Sequence, residues 1–216
     1  MQSVAAMTDM LATADEQLYS AWASGDRRAG TALVERWLRP IGRFFASKLV
    51  DDAEVEDAAS RVFEILAKNL GAFRGEGSFR AYLFGIAYNV LREQWRARRH
   101  EPIDFEASAL RDLAASPPSV VAARDEQRLV LEALRAIPLE YQTVLELSYF
   151  EALSRTEIAA ALGMPAGTVA SRLRRAHELL DARIGELAAT PDLARTTRSD
   201  LAKWAAELRG RLDRDG

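Results

Sequence analysis

The fold class predicted from the sequence is all-α. Leu, Ala, Glu and Arg dominate the 216 residues, and apolar positions recur by threes and fours with almost no strand-like alternation. Clusters of Gly, Pro and Ser divide this helical pattern into blocks. The expected architecture is two small helical domains joined by a flexible linker, the second containing a helix-turn-helix, followed by a C-terminal amphipathic helix.

Residues 1–14 read as a tail. A first domain covers 15–100, with helices expected at 15–24, 27–49, 52–70 and 78–99. Gly25, the Leu49-Val50-Asp51 junction and Arg74-Gly75-Glu76-Gly77 separate them. From 101 to 122 the periodicity fades into Pro102, Ser108, Ser116, Pro117, Pro118 and Ser119, the composition of a tether. A second domain covers 123–188. Helices near 123–135 and 138–150 supply Leu129, Leu134, Ile137, Val144, Leu145 and Leu147 as its core. In 189–216, Leu201, Trp204, Leu208 and Leu212 fall at i, i+3, i+7 and i+11. This is an amphipathic helix needing an apolar surface, either the second domain or another protein.

The most informative segment is 154–177. Ser154 and Glu157 make an S-x-x-E capping box, so a helix starts sharply there. Gly163 gives the backbone freedom to leave that helix, and Pro165 suits the first position of the next, having no N–H to lose. In the second helix Val169, Leu173, Ala176 and Leu180 form one stripe that packs on Ile158, Ala159 and Leu162. Thr168, Ser171, Arg172 and Arg175 fall on the opposite side, where hydroxyls and guanidinium forks meet phosphates and base edges. A helix hairpin with a merely solvated basic face is the plain alternative.

Composition narrows the function. The chain is 49% apolar and 28% charged and has no cysteine, which removes disulfides, zinc knuckles and thiol catalysis. With His100 and His177 as the only imidazoles, a histidine metal site is not expected. No long apolar run or secretory signal stands out, so a cytoplasmic protein is expected. Net charge is −3, so any DNA contact is local or assisted rather than a bulk attraction. The signs are sorted: Asp51, Asp52, Glu54, Glu56 and Asp57 crowd one stretch, and Arg92, Arg96, Arg98 and Arg99 another.

In the helix expected at 78–99, Phe79, Tyr82, Leu83, Ile86, Val90 and Leu91 read as the buried side. Tyr88, Asn89, Arg92, Trp95, Arg96 and Arg99 read as the opposite one. Interleaved aromatics and arginines suit single-stranded or opened DNA, because bases stack on rings at about 1 to 3 kcal/mol each. The plain reading is a core helix with a wet basic flank. Ahead of it, the glycine-punctuated stretch 73–79 offers amides and the Ser78 hydroxyl to an extruded base, or is simply a turn capped by Ser78. The acidic run complements a helix N-terminus, holds a metal, or docks a basic partner together with Arg61, Phe63, Leu66 and Ala67. No phosphate loop and no nucleophile, base and orienter set accompanies it.

In order and motif the two blocks resemble the extracytoplasmic-function (ECF) group of bacterial RNA polymerase sigma factors. Three segments carry the resemblance: 52–57 with Val62-Phe63, 73–89, and 163–172. The resemblance implies that the first domain binds core RNA polymerase and the minus-ten promoter element, and the second the minus-thirty-five element. By position, polymerase contact falls to Asp52, Glu54, Asp57, Arg61 and Phe63. Minus-ten contact falls to Arg74, Gly75, Ser78, Phe79, Asn89, Arg92, Trp95 and Arg96. Upstream contact falls to Arg155, Thr168, Ser171, Arg172, Arg174 and Arg175. Ala170 stands where the group commonly has a basic residue, and Ser60 and Arg61 where it often has Gln and Glu. The implied role is non-enzymatic and without cofactor, and an anti-sigma protein is an expected partner. The alternatives are a stand-alone helix-turn-helix regulator, a helical interaction protein, or an enzyme using the acidic cluster.

Overall fold

The computed structural model describes residues 14–49, 51–75, 77–98 and 125–199. Among them every regular element is a helix. They are α1 (14–23), α2 (Arg27–Ala46), α3 (Asp52–Lys68), α4 (Phe79–Arg98), α5 (Asp125–Arg135), α6 (Leu139–Tyr149), α7 (Arg155–Leu162), α8 (Ala166–Leu187) and α9 (Pro191–Ser199). The linker assigned to 101–122 lies outside the described residues, as do Leu201, Trp204, Leu208 and Leu212.

Local chemistry explains the starts and stops. Asp26 caps α2 by accepting the Arg28 and Ala29 amides at 2.9 and 3.3 Å. Asp51 caps α3 through the Ala53 amide at 2.9 Å, and Asp52 and Glu54 place further negative charge in that first turn. The Asn69 amide donates to the Ile65 carbonyl at 2.8 Å and closes the end of α3. α2 stops at Ala46, three residues earlier than expected. Its terminal carbonyls are instead received by side chains: Lys48 Nζ donates to Phe44 O at 2.8 Å, Arg135 to Ala46 O at 3.2 Å and Gln142 to Ser47 O at 3.2 Å. Two of those donors come from the second half of the chain.

In the first half, α2, α3 and α4 pack around Leu33, Ile41, Phe45, Val62, Leu66, Leu83, Phe84 and Leu91, each fully or nearly fully buried. In the second half, Leu129, Leu134, Ile137, Val144, Leu145 and Leu147 are buried as expected. α8 closes over them with Val169, Ala176, Leu180 and Ile184, while Leu173 of the expected stripe is half-buried. The start of the C-terminal segment packs back on this half: α9 lies across α5 and α8 and buries Ala194 and Thr197.

The two halves pack against each other. Their buried side chains form one continuous core, and α7 lies along α4. A β-carbon on Gly85 of α4 would stand 3.1 Å from the Ala161 carbonyl oxygen of α7, tighter than ordinary contact. The absence of a side chain at Gly85 therefore sets how closely the helices approach.

The helix-turn-helix is built as its sequence predicts, with one shift. Ser154 Oγ accepts the Glu157 amide at 3.3 Å and Glu157 accepts the Ser154 amide at 2.8 Å, completing the capping box. Gly163 ends α7 in the left-handed region at φ 64°. Pro165 is the residue before α8 rather than its first, because its extended ψ of 143° has not yet turned into the helix. Replacing Gly163 by Ala puts a β-carbon into this conformation and is expected to cost about 1 kcal/mol, measured as a lower urea midpoint at unchanged slope.

Candidate nucleic-acid interface

The loop between α3 and α4 is held by a residue that sequence reasoning missed. The Tyr19 hydroxyl donates to Asn69 O at 3.3 Å and accepts the amides of Gly71 at 2.8 Å and Phe73 at 3.4 Å. Its ring packs 5.6 Å from Phe73 and 5.4 Å from Phe79, centroid to centroid. Gly71, Gly75 and Gly77 have φ of 90°, 78° and 90°, so the turns of the loop need residues without a β-carbon. A tyrosine distant in sequence gives no local signal, and only the fold joins it to the loop.

Ser78 caps α4 as the turn reading expects, and its hydroxyl also reaches α7. Its Oγ accepts the Ala81 amide at 3.2 Å as a cap, and donates to the Glu157 carboxylate of α7. Beside it opens a cleft of about 520 Å³. The loop and α4 form one wall, through Phe73, Arg74, Ser78, Asn89 and Arg92, and Ala160 to Gly163 form the other. Arg74, Gly75, Asn89 and Arg96 are exposed and Arg92 half-buried, its guanidinium carbon 5.8 Å from the Tyr88 ring centroid.

Phe79 is fully buried, as the helix pattern predicts, though the resemblance gave it a contact role; Tyr88 and Trp95, expected on the outer face, are only 8% and 5% exposed, which corrects that reading. α4 has neighbours on three sides, α2, α3 and α7. The strip left wet is Asn89, Glu93, Arg96 and Ala97, at i, i+4, i+7 and i+8. The rings expected to interleave with arginines on the surface are instead core, and Phe79 serves the loop by packing beneath it. Burial holds the Tyr88 hydroxyl above its ordinary pKa, against the pull of Arg92 and Arg172.

On α3, Asp52, Asp57 and Arg61 are exposed, Glu54 is half-buried, and Phe63 is half-buried against the core. Arg61 pairs with Glu64 at 3.2 Å one turn along. Among the described residues no cluster of three or more His, Cys, Asp or Glu is placed to hold a metal. None of the helices there is long and apolar enough to cross a membrane.

On the second half, Arg155, Ser171, Arg174 and Arg175 are exposed and Thr168 is half-buried. Ser171 Oγ donates to Thr168 O at 2.9 Å, and Arg175 pairs with Glu178 at 2.8 Å. Arg172 departs from the expected outward face. It pairs at 2.9 Å with Glu140, whose side chain is 3% exposed, and so ties α8 to α6. The available signal was a carboxylate within the apolar run 137–147, which needs a partner once buried. His177 bridges the Tyr149 hydroxyl at 2.7 Å and Leu173 O at 2.6 Å.

A helical protein with a glycine loop beside a polar cleft, and a capped helix-turn-helix carrying outward arginines, has the form of a DNA-binding transcription factor. Residues 33–101 match the family described as Sigma-70 region 2, and residues 127–180 the one described as Sigma-70, region 4. The RNA polymerase sigma-H factor of Pseudomonas aeruginosa is 32% identical over 179 residues, covering 77% of this chain and 92% of the relative. The ECF RNA polymerase sigma-E factor of Escherichia coli is 26% identical over 183 residues, covering 80% and 95%. Among solved structures, CnrH in complex with the cytosolic domain of CnrY aligns with a TM-score of 0.59 at 28% identity, covering 81% of this chain and 99% of that one. The sigma factor RpoE of Bartonella quintana, bound to the anti-sigma factor NepR, has the same fold: TM-score 0.58, 20% identity, coverage 73% and 98%.

The chain belongs to the ECF group of the sigma-70 family. It is a sigma factor, which binds RNA polymerase and directs it to promoters. Proteins of this family are non-catalytic initiation factors.

Glu157 sits where the two halves meet. Burial alone would raise its pKa, but hydrogen bonds from Ser78 and Ser154 and the nearby Arg80 charge outweigh it, so the carboxyl is held below its ordinary 4.5. A depressed carboxyl stabilises the fold above its unfolded pKa and loses that contribution as pH falls through the folded value. The wild type is therefore expected to be more stable than Glu157→Gln at neutral pH, and the gap to close below about pH 4.5. Urea midpoints across that range measure it.

Proposed function

We propose that this sigma factor divides its labour between residues 15–100 and 123–188, with 101–122 as the tether and 189–216 as a C-terminal extension. The exposed acidic side of α3, with Asp52, Glu54, Asp57, Arg61 and Phe63, docks on core polymerase. Arg74, Gly75, Ser78, Asn89, Arg92 and Arg96 hold the opened minus-ten strand. Phe79 and Trp95 support that surface from below rather than touching DNA. Arg155, Thr168, Ser171, Arg174 and Arg175 meet the minus-thirty-five duplex, and Arg172 positions α8 through Glu140.

The observation that carries this reading is the convergence of Arg74, Ser78, Asn89 and Arg92 on one cleft beside a rigidly anchored glycine loop. Such a site trades stacking within the duplex for hydrogen bonds and phosphate contacts in the protein. The chain itself needs no catalytic step and no cofactor, and it works in the cytoplasm, where polymerase is. CnrH and the Bartonella RpoE were each solved with a protein partner, the latter an anti-sigma factor. An anti-sigma protein is proposed for this chain on that ground.

The test is start-site sequencing of transcripts made on genomic DNA by purified core polymerase with this chain. Asn89→Ala and the pair Arg174→Ala with Arg175→Ala are each expected to lower specific transcription at least tenfold, with core binding unchanged. The arginine pair should also reduce the salt dependence of promoter binding by about two phosphate contacts. A stand-alone regulator would bind specific duplex without polymerase. Specific binding by the free chain would overturn the division of labour.

A further inference from the structure

α1 takes no part in the DNA and polymerase surfaces assigned above, yet one stripe of it is tied to α2 and to the α3–α4 loop. Asp15, Tyr19 and Trp22 fall at i, i+4 and i+7, on one face of the helix. Asp15 is 2% exposed and accepts from Arg36 of α2 at 2.5 Å. The Trp22 ring lies over Gly30 of α2, where a β-carbon would stand 2.7 Å from it. A carboxylate at one end and an indole at the other therefore brace α1 on α2. Tyr19, between them, reaches the loop.

The hydrogen-bonding capacity of its hydroxyl is fully used there. A phenol offers one donor and two acceptor sites; the donor goes to Asn69 O, and the acceptor sites receive the amides of Gly71 and Phe73. The ring stands among three others. Phe73, Phe79 and Tyr82 lie 5.6, 5.4 and 6.4 Å from it, and Phe73 is 5.8 Å from Phe79 and 5.4 Å from Tyr82, centroid to centroid. Phe73 precedes the glycine turn, and Phe79 and Tyr82 follow it, so one cluster holds both ends of the segment that carries Arg74 and Ser78. Gly75 and Gly77 within that segment have positive φ. Glycine loses the most backbone freedom on ordering, so a loop that must meet a base in one geometry binds better when its ends are fixed in advance.

Resting on the functional assignment above, we propose that Tyr19 is the positioning residue of the minus-ten loop: by fixing the backbone at 69, 71 and 73 it sets where Arg74 and Ser78 stand relative to Asn89 and Arg92. It does so without touching DNA. The ring fills the core, while the hydroxyl serves the loop. Gly71 is exposed and Phe73 half-buried, so water can take the place of the hydroxyl at their amides. Its removal is expected to leave the helices folded and to loosen the aim of the loop. α1 thereby belongs to promoter opening.

The test is Tyr19→Phe in the full chain, first alone and then with core polymerase on a promoter mapped by start-site sequencing. In the free variant the Gly71 and Phe73 amides are expected to exchange with solvent deuterium about tenfold faster than in wild type, with α2 and α4 unchanged. Unchanged loop amides would overturn the proposal. In the holoenzyme, 2-aminopurine in the minus-ten strand reports opening, which is expected to slow about tenfold at unchanged core binding. Opening at the wild-type rate would overturn it.

Abasic substitutions along the non-template minus-ten strand separate aim from bulk stability. Wild type is expected to lose about tenfold in opening where the loop-held base is removed, and Tyr19→Phe less than about threefold at the same position, because its loop already holds that base poorly. Equal losses would overturn the proposal. If Tyr19→Phe fails to fold, by circular dichroism, Asp15→Asn decides. It keeps the tyrosine and loosens the brace of α1 on α2, and is expected to show the same coupling in smaller measure; no loss, or one equal on intact and abasic promoters, would overturn the proposal. If no position in the minus-ten strand costs wild type anything, the functional assignment fails and this proposal with it. If such a position exists and the variants lose as much there as wild type, only the role of Tyr19 fails.

Discussion

The buried contact between Lys48 and Glu146 is the constraint on which the arrangement of this molecule depends. Burial lowers the Lys48 ammonium from its ordinary pKa, and Glu146 opposes that. Moving two such ions out of water costs several kcal/mol each, so the pair is weak evidence for net stability, whereas removing one partner costs about 3 to 5 kcal/mol. Its value is therefore in choosing one geometry. The three ammonium protons have three acceptors, Phe44 O, Ser47 Oγ and Glu146, and the charge stands 3.9 Å from the Phe44 ring centroid. A slide of one helical turn between the domains would part the two buried charges, leaving Lys48 only Phe44 O and Ser47 Oγ and Glu146 only Gln142.

From that fixed point the rest of the junction follows. With the end of α2 seated on α6, α7 comes to lie along α4, and the small residues Gly85 and Ala161 let the backbones approach. Ser78 then reaches Glu157, which is simultaneously the third residue of a capping box. One carboxylate thus serves the start of the helix-turn-helix and the start of α4. The local folding of the second domain and its docking on the first share an atom group, so neither is energetically independent of the other.

How much of this the sequence revealed follows from the range over which each cause acts. The capping box at Ser154 and Glu157, the left-handed Gly163 and the stripe Val169, Ala176 and Leu180 are set by neighbours within a turn or two, and all were legible. The surface of α4 was not. A single helical wheel assumes one buried face, while α4 meets α2, α3 and α7, so Tyr88 and Trp95 became core and the wet strip narrowed to Asn89, Glu93, Arg96 and Ala97. Tyr19 holding Gly71 and Phe73, and Arg172 turned inward to Glu140, depend on contacts between distant segments. For Glu140 and Glu146 the sequence did hold a clue, since carboxylates inside an apolar helix require partners; it gave no way to name those partners.

The diversion of Arg172 bears on how an upstream contact works at all. Affinity for duplex DNA scales with the number of phosphates neutralised, and each lost cation removes nearly one unit of salt slope. Here Ala170 is uncharged, Arg172 is spent on Glu140 and Arg175 shares its charge with Glu178. Arg155 and Arg174 remain exposed on a chain of net charge −3. So few cations give a feeble contact in free solution. On the proposed division of labour, the contact becomes effective once the first domain is placed on polymerase, because a tethered partner acts at an effective concentration in the millimolar range, a gain of order 10² to 10⁴ in avidity. Weakness of the isolated second domain is then a requirement: a stronger grip would commit the chain to upstream DNA before polymerase had fixed the spacing that makes a promoter.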